Sequence, residues 1–240
     1  MAGTAGAGAM ILVLVLGGSA YAAQTNTEKA AELMRELKAA SGGAALDRPD
    51  GFHETQTVVR DGKTGVGEVW GDLRTLRSSG RHTLAGSTGS GGFDGETAWS
   101  IDPTGKVHLD TTPAGLKAAR MGTYVTLGGY FYPDRFPATF AYLGQRRSGG
   151  VAYDVVAVTP RDGDTADLWL DRKTHRLMRL SAEVDGVKFS GDILRYQVVD
   201  GTWIGFENHQ VEGPHRMTQH LTGYVYGPVD AARFSPPPAP

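Results

Sequence analysis

Apolar and polar residues alternate along most of this chain with a period of two, a pattern that predicts β-strands. The pattern is clearest in Tyr153–Ser181, where the alternating segments Tyr153–Thr159 and Ala166–Asp171 are separated by the polar turn Asp162–Asp164. After Arg172–His175 the chain begins a third such segment. Short strands joined by tight turns predict an antiparallel meander that forms one curved sheet.

Two Asp-Gly pairs predict β-hairpins elsewhere in the chain, because Asp-Gly favours the tight turn between two antiparallel strands. These pairs are Asp61-Gly62 and Asp200-Gly201, and each lies between two alternating segments. The Gly- and Ser-rich run Ala85–Gly92 is expected to be a flexible loop. The remaining predicted strands are Phe52–Arg60, Thr64–Asp72, Leu73–Leu84 (one strand or two), Thr139–Gln145, Val187–Val199, Thr202–Val211 and Met217–Tyr226.

Two helices are predicted among these strands. Thr25–Glu28 fits a capping box, apolar residues follow at helical spacing, and Gly42-Gly43 ends the helix. Thr112-Pro113 fits the N-cap and first position of a second helix that runs through about Tyr124. The expected fold class is therefore α+β and mainly β: a single curved antiparallel sheet, an unclosed β-barrel, with about two helices on its concave face. Helices that cover an open sheet would leave an apolar groove between the layers.

The two ends of the chain carry different signals. Residues 1–22 resemble a secretory signal peptide, with the apolar core Met10–Leu16 and the cleavage site Ala20–Ala22, although no Lys or Arg precedes the core. A transmembrane anchor is the alternative, but spanning a bilayer requires about 20 apolar residues. Cleavage near Ala22 would place an open-barrel domain, residues 24–232, in the periplasm or outside the cell. Residues 233–240 are proline-rich and are expected to be an extended tail or linker rather than packed structure.

Composition narrows the function classes. A chain of 240 residues with 40% hydrophobic residues can bury a sizeable core, most simply in one domain. The formal net charge of −2 argues against nucleic acid as a partner, since nucleic-acid-binding domains carry a concentrated basic face. The chain has no cysteine, which excludes disulfides, thiolate metal sites and a cysteine nucleophile.

No catalytic or metal-binding motif emerges from the sequence. His209, His215 and His220 are close together in sequence, but no carboxylate lies at a recognised metal-ligand spacing, so we interpret them as surface histidines. The twelve-residue calcium loop and the Gly-x-Ser-x-Gly nucleophile elbow are both missing. We therefore expect no metal, no cofactor and no enzymatic activity.

Several short motifs, in this order, resemble the outer-membrane lipoprotein carrier (LolA/LolB-like) superfamily. They are Gly67–Trp70, Phe93–Trp99 followed by Asp102-Pro103, Leu168–Asp171 and Val199–Trp203. The resemblance covers about the whole mature chain. It is greatest to the N-terminal region of alphaproteobacterial exported proteins that continue, through a Pro-rich stretch, into a retroviral-type aspartyl protease.

The resemblance implies an unclosed barrel whose mouth is plugged by helices, and a hydrophobic cavity that in true carriers receives lipoprotein acyl chains. Two departures limit what it implies. The carrier's Arg-Pro and aromatic-Arg-Trp run is replaced by Gly71–Arg77, so that Arg74 and Arg77 are only candidates for its functional arginine. No Asp-Thr-Gly or Asp-Ser-Gly occurs, so protease activity is not expected.

Apolar and aromatic residues on the predicted inner faces of strands and helices form the candidate site. Filling of the core is the alternative explanation for each of them, and Trp169 is left out because it points to the opposite face. The function predicted on this basis is an exported, non-enzymatic module that binds a lipid or lipoprotein acyl chains in a hydrophobic groove, with membrane contact only through the signal peptide or transiently. An accessory domain of an aspartyl-protease-type envelope protein, acting through protein–protein contacts, is the alternative. The predicted ligand-binding residues are Trp99, Tyr124, Phe131, Leu168, Leu170, Ile204 and Phe206.

Overall fold

The computed structural model describes residues 17–184 and 186–236. Most of the predicted signal peptide, residues 1–16, and the last four residues lie outside the described part. Two α-helices, α1 (Gly17–Ser41) and α2 (Pro113–Thr126), are accompanied by 3₁₀ turns at Gly43–Asp47, Gly129–Phe131 and Ala231–Arg233. The strands of the described part are β1 (Gly51–Arg60), β2 (Lys63–Asp72), β3 (Arg77–Leu84), β4 (Ser87–Phe93), β5 (Ala98–Ile101), β6 (Val107–Asp110), β7 (Ala138–Ser148), β8 (Val151–Pro160), β9 (Ala166–Asp171), β10 (Leu177–Val184), β11 (Val187–Val199), β12 (Thr202–Glu212) and β13 (His215–Tyr226).

All of these strands belong to one antiparallel sheet with the order β6-β5-β4-β3-β2-β1-β13-β12-β11-β10-β9-β8-β7. Sequential strands are neighbours except at two places: β1 pairs with β13, and α2 lies between β6 and β7 in the chain. Within the described residues β6 and β7 do not pair, so the sheet is not closed into a barrel. The predicted fold class, a mainly β protein with an unclosed curved sheet and two helices, is confirmed.

The predicted hairpin turns are confirmed by their backbone angles. Asp61 and Gly62 have φ values of 49° and 78°, and Asp200 and Gly201 have 49° and 83°. Positive φ at both central residues is the signature of a type I′ turn, which matches the right-handed twist of the flanking strands.

The run Ala85–Gly92 is not the flexible loop that its composition predicts. Ala85 and Gly86 form a turn, and the rest of the run belongs to β4, which pairs with both β3 and β5. Glycine is required here by close packing: a Cβ on Gly92 would lie 2.7 Å from the carbonyl oxygen of Ser78 and 2.9 Å from the Trp99 ring. The hydrogen bonds to two neighbouring strands outweigh the low strand propensity of glycine.

The two helices differ in how well they were predicted. For α2 the prediction is confirmed, since the Thr112 hydroxyl accepts a hydrogen bond of 3.1 Å from the Gly115 backbone N–H. The start of α1 was predicted wrongly: within the described residues the helix already runs from Gly17, so Thr25–Glu28 lies inside it and is not its N-terminal cap. Residues 17–24 of the helix include three alanines, Ala20, Ala22 and Ala23, and alanine has the highest helix propensity.

The hydrophobic core lies between the concave face of the sheet and the two helices. Helix α1 packs on β7, β8 and β12, while α2 packs on β3, β4, β5 and β8. Leu33 and Leu37 of α1 are buried in one cluster with Val156 of β8 and Leu168 and Leu170 of β9. Alternation places these strand residues on one face, as the sequence predicts.

The tail is packed where the sequence predicts a linker. Phe234 is only 1% exposed, its ring lies 5.1 Å from the Arg77 guanidinium, and its carbonyl accepts a 2.6 Å hydrogen bond from Trp99 Nε1. Arg233 stacks over the ring of Trp70 at 4.7 Å. The segment up to at least Phe234 is therefore part of the folded domain, because a large aromatic side chain gains more from burial than it loses in freedom.

Candidate functional site

A groove lined largely by aromatic residues lies between the sheet and the segment that follows α2. The groove has a volume of about 160 Å³. The sheet contributes residues of β1 and β11–β13, and the other wall is formed by the C-terminal end of α2 and Gly128–Tyr132, which we name the aromatic segment. The aromatic residues that line the groove are Phe52, Tyr130, Phe131, Tyr132, Tyr196, Trp203, Tyr224 and Tyr226.

The aromatic segment is held at both of its ends. At the first end Gly128 adopts the left-handed conformation (φ 60°) and turns the chain after α2. At the second end the Tyr132 hydroxyl donates a 3.0 Å hydrogen bond to the Leu46 carbonyl, and the Arg135 guanidinium donates to the carbonyls of Leu73 and Asp47 at 3.1 and 3.0 Å. Tyr130 and Phe131 face the groove between these ends, and the centres of their rings are 4.7 Å apart. The segment is thus a short bridge over the groove, anchored at its ends.

Aromatic side chains also line the side of the groove that the sheet forms. Phe52 stacks on Tyr224, with their ring centres 5.1 Å apart. The rings of Tyr224 and Tyr226 pack edge to face, also with 5.1 Å between their centres. Arg176 lies over the Trp203 ring at 3.6 Å and donates a 3.3 Å hydrogen bond to the carbonyl of Ala40 near the end of α1. This arginine joins α1 to the rim of the groove.

One ionisable carboxyl faces this aromatic surface. Glu54 is partly buried, and removal of its carboxyl from water raises its pKa to about 7. Burial also raises the pKa of Tyr130, Tyr196 and Tyr224 above the usual value, so their hydroxyls stay neutral at any physiological pH. Among the described residues that line the groove, Glu54 alone carries a formal charge.

The structure brings two of the predicted site residues to the groove. Phe131 of the aromatic segment and Ile204 of β12 both line it. Tyr124, Leu168 and Leu170 lie in the adjoining core cluster and are almost fully buried.

The other two predicted residues lie elsewhere. Trp99 shares a face with Trp70 through the register Trp70–Ser79–Gly92–Trp99, and it is covered by the tail on the side of the sheet opposite to Phe52. Phe206 is buried but is part of neither the core cluster nor the groove lining.

Sequence reasoning missed most of the polar side of the groove. Glu54 was missed because a glutamate in an alternating strand is usually a sign of the solvent face. The signal that could have found it is its register: it lies two residues after Phe52, on the same face of the strand. Tyr224 and Tyr226 follow the same rule in the last strand.

Arg74, Arg77 and His215, which were considered from the sequence, form ion pairs away from the groove. Arg74 pairs with Asp50, and Arg77 pairs with Asp72, each at 2.5 Å. His215 lies 2.7 Å from Asp61, and within the described residues no three His, Asp or Glu side chains are grouped as metal ligands would be. In that same part of the chain, neither helix has the length and apolarity needed to cross a bilayer.

Comparisons with known proteins give the fold and no family assignment. No family model matches the sequence, and no curated protein matches it. A domain from Vibrio parahaemolyticus named as an outer-membrane lipoprotein-sorting protein is similar in structure, with a TM-score of 0.53, 13% identity, and coverage of 84% of this chain and 93% of that one. A DUF1329 family protein from Desulfovibrio piger has a TM-score of 0.55, 12% identity and coverage of 88% and 97%.

A LolA superfamily protein from Nitrosomonas europaea is similar over 86% of this chain and 97% of its own, with a TM-score of 0.56 and 10% identity. Identities this low support a common fold and not a common activity. The chain has a LolA-like fold, and its function has to be argued from the groove.

Proposed function

We propose that this protein is an exported, non-enzymatic module that binds a lipid or the acyl chains of a lipoprotein in the groove. The observation that carries the proposal is the aromatic groove itself, which lies between the helical layer and an unclosed sheet and is roofed by the aromatic segment. Burial of apolar ligand surface at about 25 cal/mol per Å² supplies the driving force. The fold shared with a domain named for lipoprotein sorting supports the proposal.

The volume of the groove determines how such a ligand would enter. Sites for drug-sized ligands usually span about 300–1,000 Å³. A volume of about 160 Å³ accepts a small group but not a whole lipid chain. Entry of a long chain therefore requires the aromatic segment to move away from the sheet while Gly128 and Tyr132 act as its pivots. The described conformation is then the closed form.

A filled groove is expected to reject ligand. Ile204→Trp would place an indole in the cavity, so affinity for a fluorescent fatty-acid analogue should fall at least tenfold, as measured by titration of the purified protein. Val225→Trp is the matched control because Val225 of β13 pairs with His53, on the face of the sheet opposite to Phe52, and is 65% exposed. This control should bind as the unmodified protein does.

A third variant separates a blocked groove from a damaged fold. Ile204→Ala enlarges the cavity, so binding should be retained or strengthened. Equal loss of binding in all three variants, or equal binding in all three, would contradict the placement of the ligand in this groove. Circular dichroism and the midpoint of thermal unfolding establish that each variant is folded.

The same proposal includes processing and location. We propose that cleavage near Ala22 releases the domain of residues 24–232 with its tail into the periplasm or the medium. A native mass spectrum of the protein purified from its own cell envelope should show a chain that starts near Ala23, together with a lipid-sized adduct that organic solvent removes. A processed chain without any adduct would instead favour the accessory-domain function, in which a protease or another envelope protein is the partner.

A further inference from the structure

Glu54 occupies an unusual position for a carboxylate. In the sheet it lies opposite Tyr224 of β13 and Val69 of β2. Phe52, two residues earlier, is 2% exposed and belongs to the hydrophobic cluster, so Glu54 shares its concave face and lines the groove. The strand therefore directs an acidic side chain into the apolar interior.

The carboxylate has no protein partner there. No hydrogen bond or ion pair joins it to another residue in the described part of the chain, and burial alone accounts for its raised pKa. Asp72, by contrast, accepts hydrogen bonds from Thr75 and Arg77. An unpaired carboxylate in such surroundings is costly, and groups of this kind are concentrated at functional sites.

The surroundings of Glu54 fit one class of partner. Tyr224 lies opposite it in the sheet, and Tyr130, Tyr196 and Tyr226 line the same groove. The rings of Trp203 and Tyr132, which also line the groove, already stack with Arg176 and Arg135. The faces of aromatic rings carry partial negative charge. Several rings arranged around one position therefore bind ammonium groups, most strongly where water is excluded. A carboxylate adds a full opposite charge to the same site.

We propose that the groove recognises an amphiphile whose head is an ammonium group, and that Glu54 is the residue that selects this head. The proposal rests on the lipid-binding function above and specifies its ligand class. The head of the amphiphile would lie between Glu54 and the tyrosine rings. Its apolar chain would extend from there along the aromatic segment.

The charges around the site favour a cationic head over an anionic one. The other titratable side chains that line the groove are tyrosines, which are neutral: Tyr130, Tyr132, Tyr196, Tyr224 and Tyr226. Arg176 is occupied by the Trp203 ring and the Ala40 carbonyl. Arg135 donates hydrogen bonds to the backbone carbonyls of Leu73 and Asp47, and Lys38 pairs with the Asp47 carboxylate. An anionic head would thus meet a carboxylate, with the adjacent cations already engaged.

The test compares three ten-carbon amphiphiles that differ only in the head: decyltrimethylammonium, decanoate and 1-decanol. Each displaces an uncharged fluorescent apolar probe, N-phenyl-1-naphthylamine, from the full protein at pH 8.5, below its micelle-forming concentration. The ammonium compound should bind at least tenfold more tightly than the alcohol, and decanoate should be the weakest. In Glu54→Gln the ratio of ammonium to alcohol affinity should fall to near one.

A surface variant controls for nonspecific attraction of cations by an acidic protein. Glu96→Gln removes the same charge from an exposed turn between β4 and β5, and it should keep the tenfold ratio. A fall of the ratio in Glu96→Gln as large as in Glu54→Gln would overturn the proposal.

The remaining outcomes separate this inference from the proposed function. If decanol and decanoate bind the unmodified protein as well as the ammonium compound does, lipid binding stands and the ammonium class is wrong. If Glu54→Gln keeps the tenfold ratio, Glu54 is not the selecting residue and the proposal fails. If none of the three amphiphiles displaces the probe, the lipid-binding function fails together with the inference.

Discussion

Phe234→Ala should lower the free energy of unfolding by about 3 kcal/mol, although Phe234 lies in a proline-rich tail. The reason is that its side chain is 1% exposed and is packed on the outer side of the sheet beside Arg77. Truncation to alanine removes the buried ring and leaves a cavity next to Trp99. Urea unfolding followed by tryptophan fluorescence and by circular dichroism measures the change.

Ser235→Ala is the matched control for this prediction. Ser235 is the next residue and is exposed, so its substitution should change the stability by less than about 0.5 kcal/mol. A loss below about 1 kcal/mol in Phe234→Ala would instead show that the tail adds little to the fold. In that case the linker interpretation from the sequence would be the better description of residues 233–236.

The tail shows what kind of structure a local pattern fails to predict. Its composition is that of a linker, and nothing near it in sequence indicates a partner. The partners, Trp70 and Trp99, are more than 130 residues away and meet the tail only because the sheet register aligns them on one face. Strands and Asp-Gly hairpins, by contrast, follow from local alternation and turn chemistry, and these predictions are confirmed.

The candidate site, like the fold, was predicted only in part from the sequence. Phe131 and Ile204 reach the groove because an aromatic loop after a helix and an apolar strand face are local signals. Trp99 was placed on the wrong side of the sheet, since the glycines of β4 hid a strand and with it the register that fixes the face of β5. Glu54 could not be found by hydrophobicity, because a carboxylate on the inner face violates the pattern that identifies that face.

The stability of the protein should depend on pH through Glu54. Its pKa is about 7 in the folded protein against a usual value of 4.5, so the folded state holds the proton more tightly than the unfolded state does. Between these two pH values the folded state binds more protons, and stability therefore falls as the pH rises from about 4.5 to above 7. The expected loss is about 3 kcal/mol, from about 1.4 kcal/mol for each pH unit between the two pKa values.

Glu54→Gln removes this titration. From pH 5 to pH 8 the free energy of unfolding of the unmodified protein should therefore fall by about 2 to 3 kcal/mol more than that of the variant. Urea unfolding of both proteins at the two pH values gives the result as a difference of differences, in which any constant cost of burying the amide cancels. Glu96→Gln, at an exposed position, should show no such change. A parallel pH dependence of Glu54→Gln and the unmodified protein would mean that the carboxyl is solvated.

The two effects of Glu54 are physically linked. The desolvated charge that destabilises the empty protein above pH 7 is the same charge that an ammonium head would neutralise, so a bound cation should recover the lost stability. Decyltrimethylammonium should therefore raise the unfolding midpoint of the unmodified protein more at pH 8 than at pH 5. In Glu54→Gln the gain should be similar at both pH values, because no carboxylate forms.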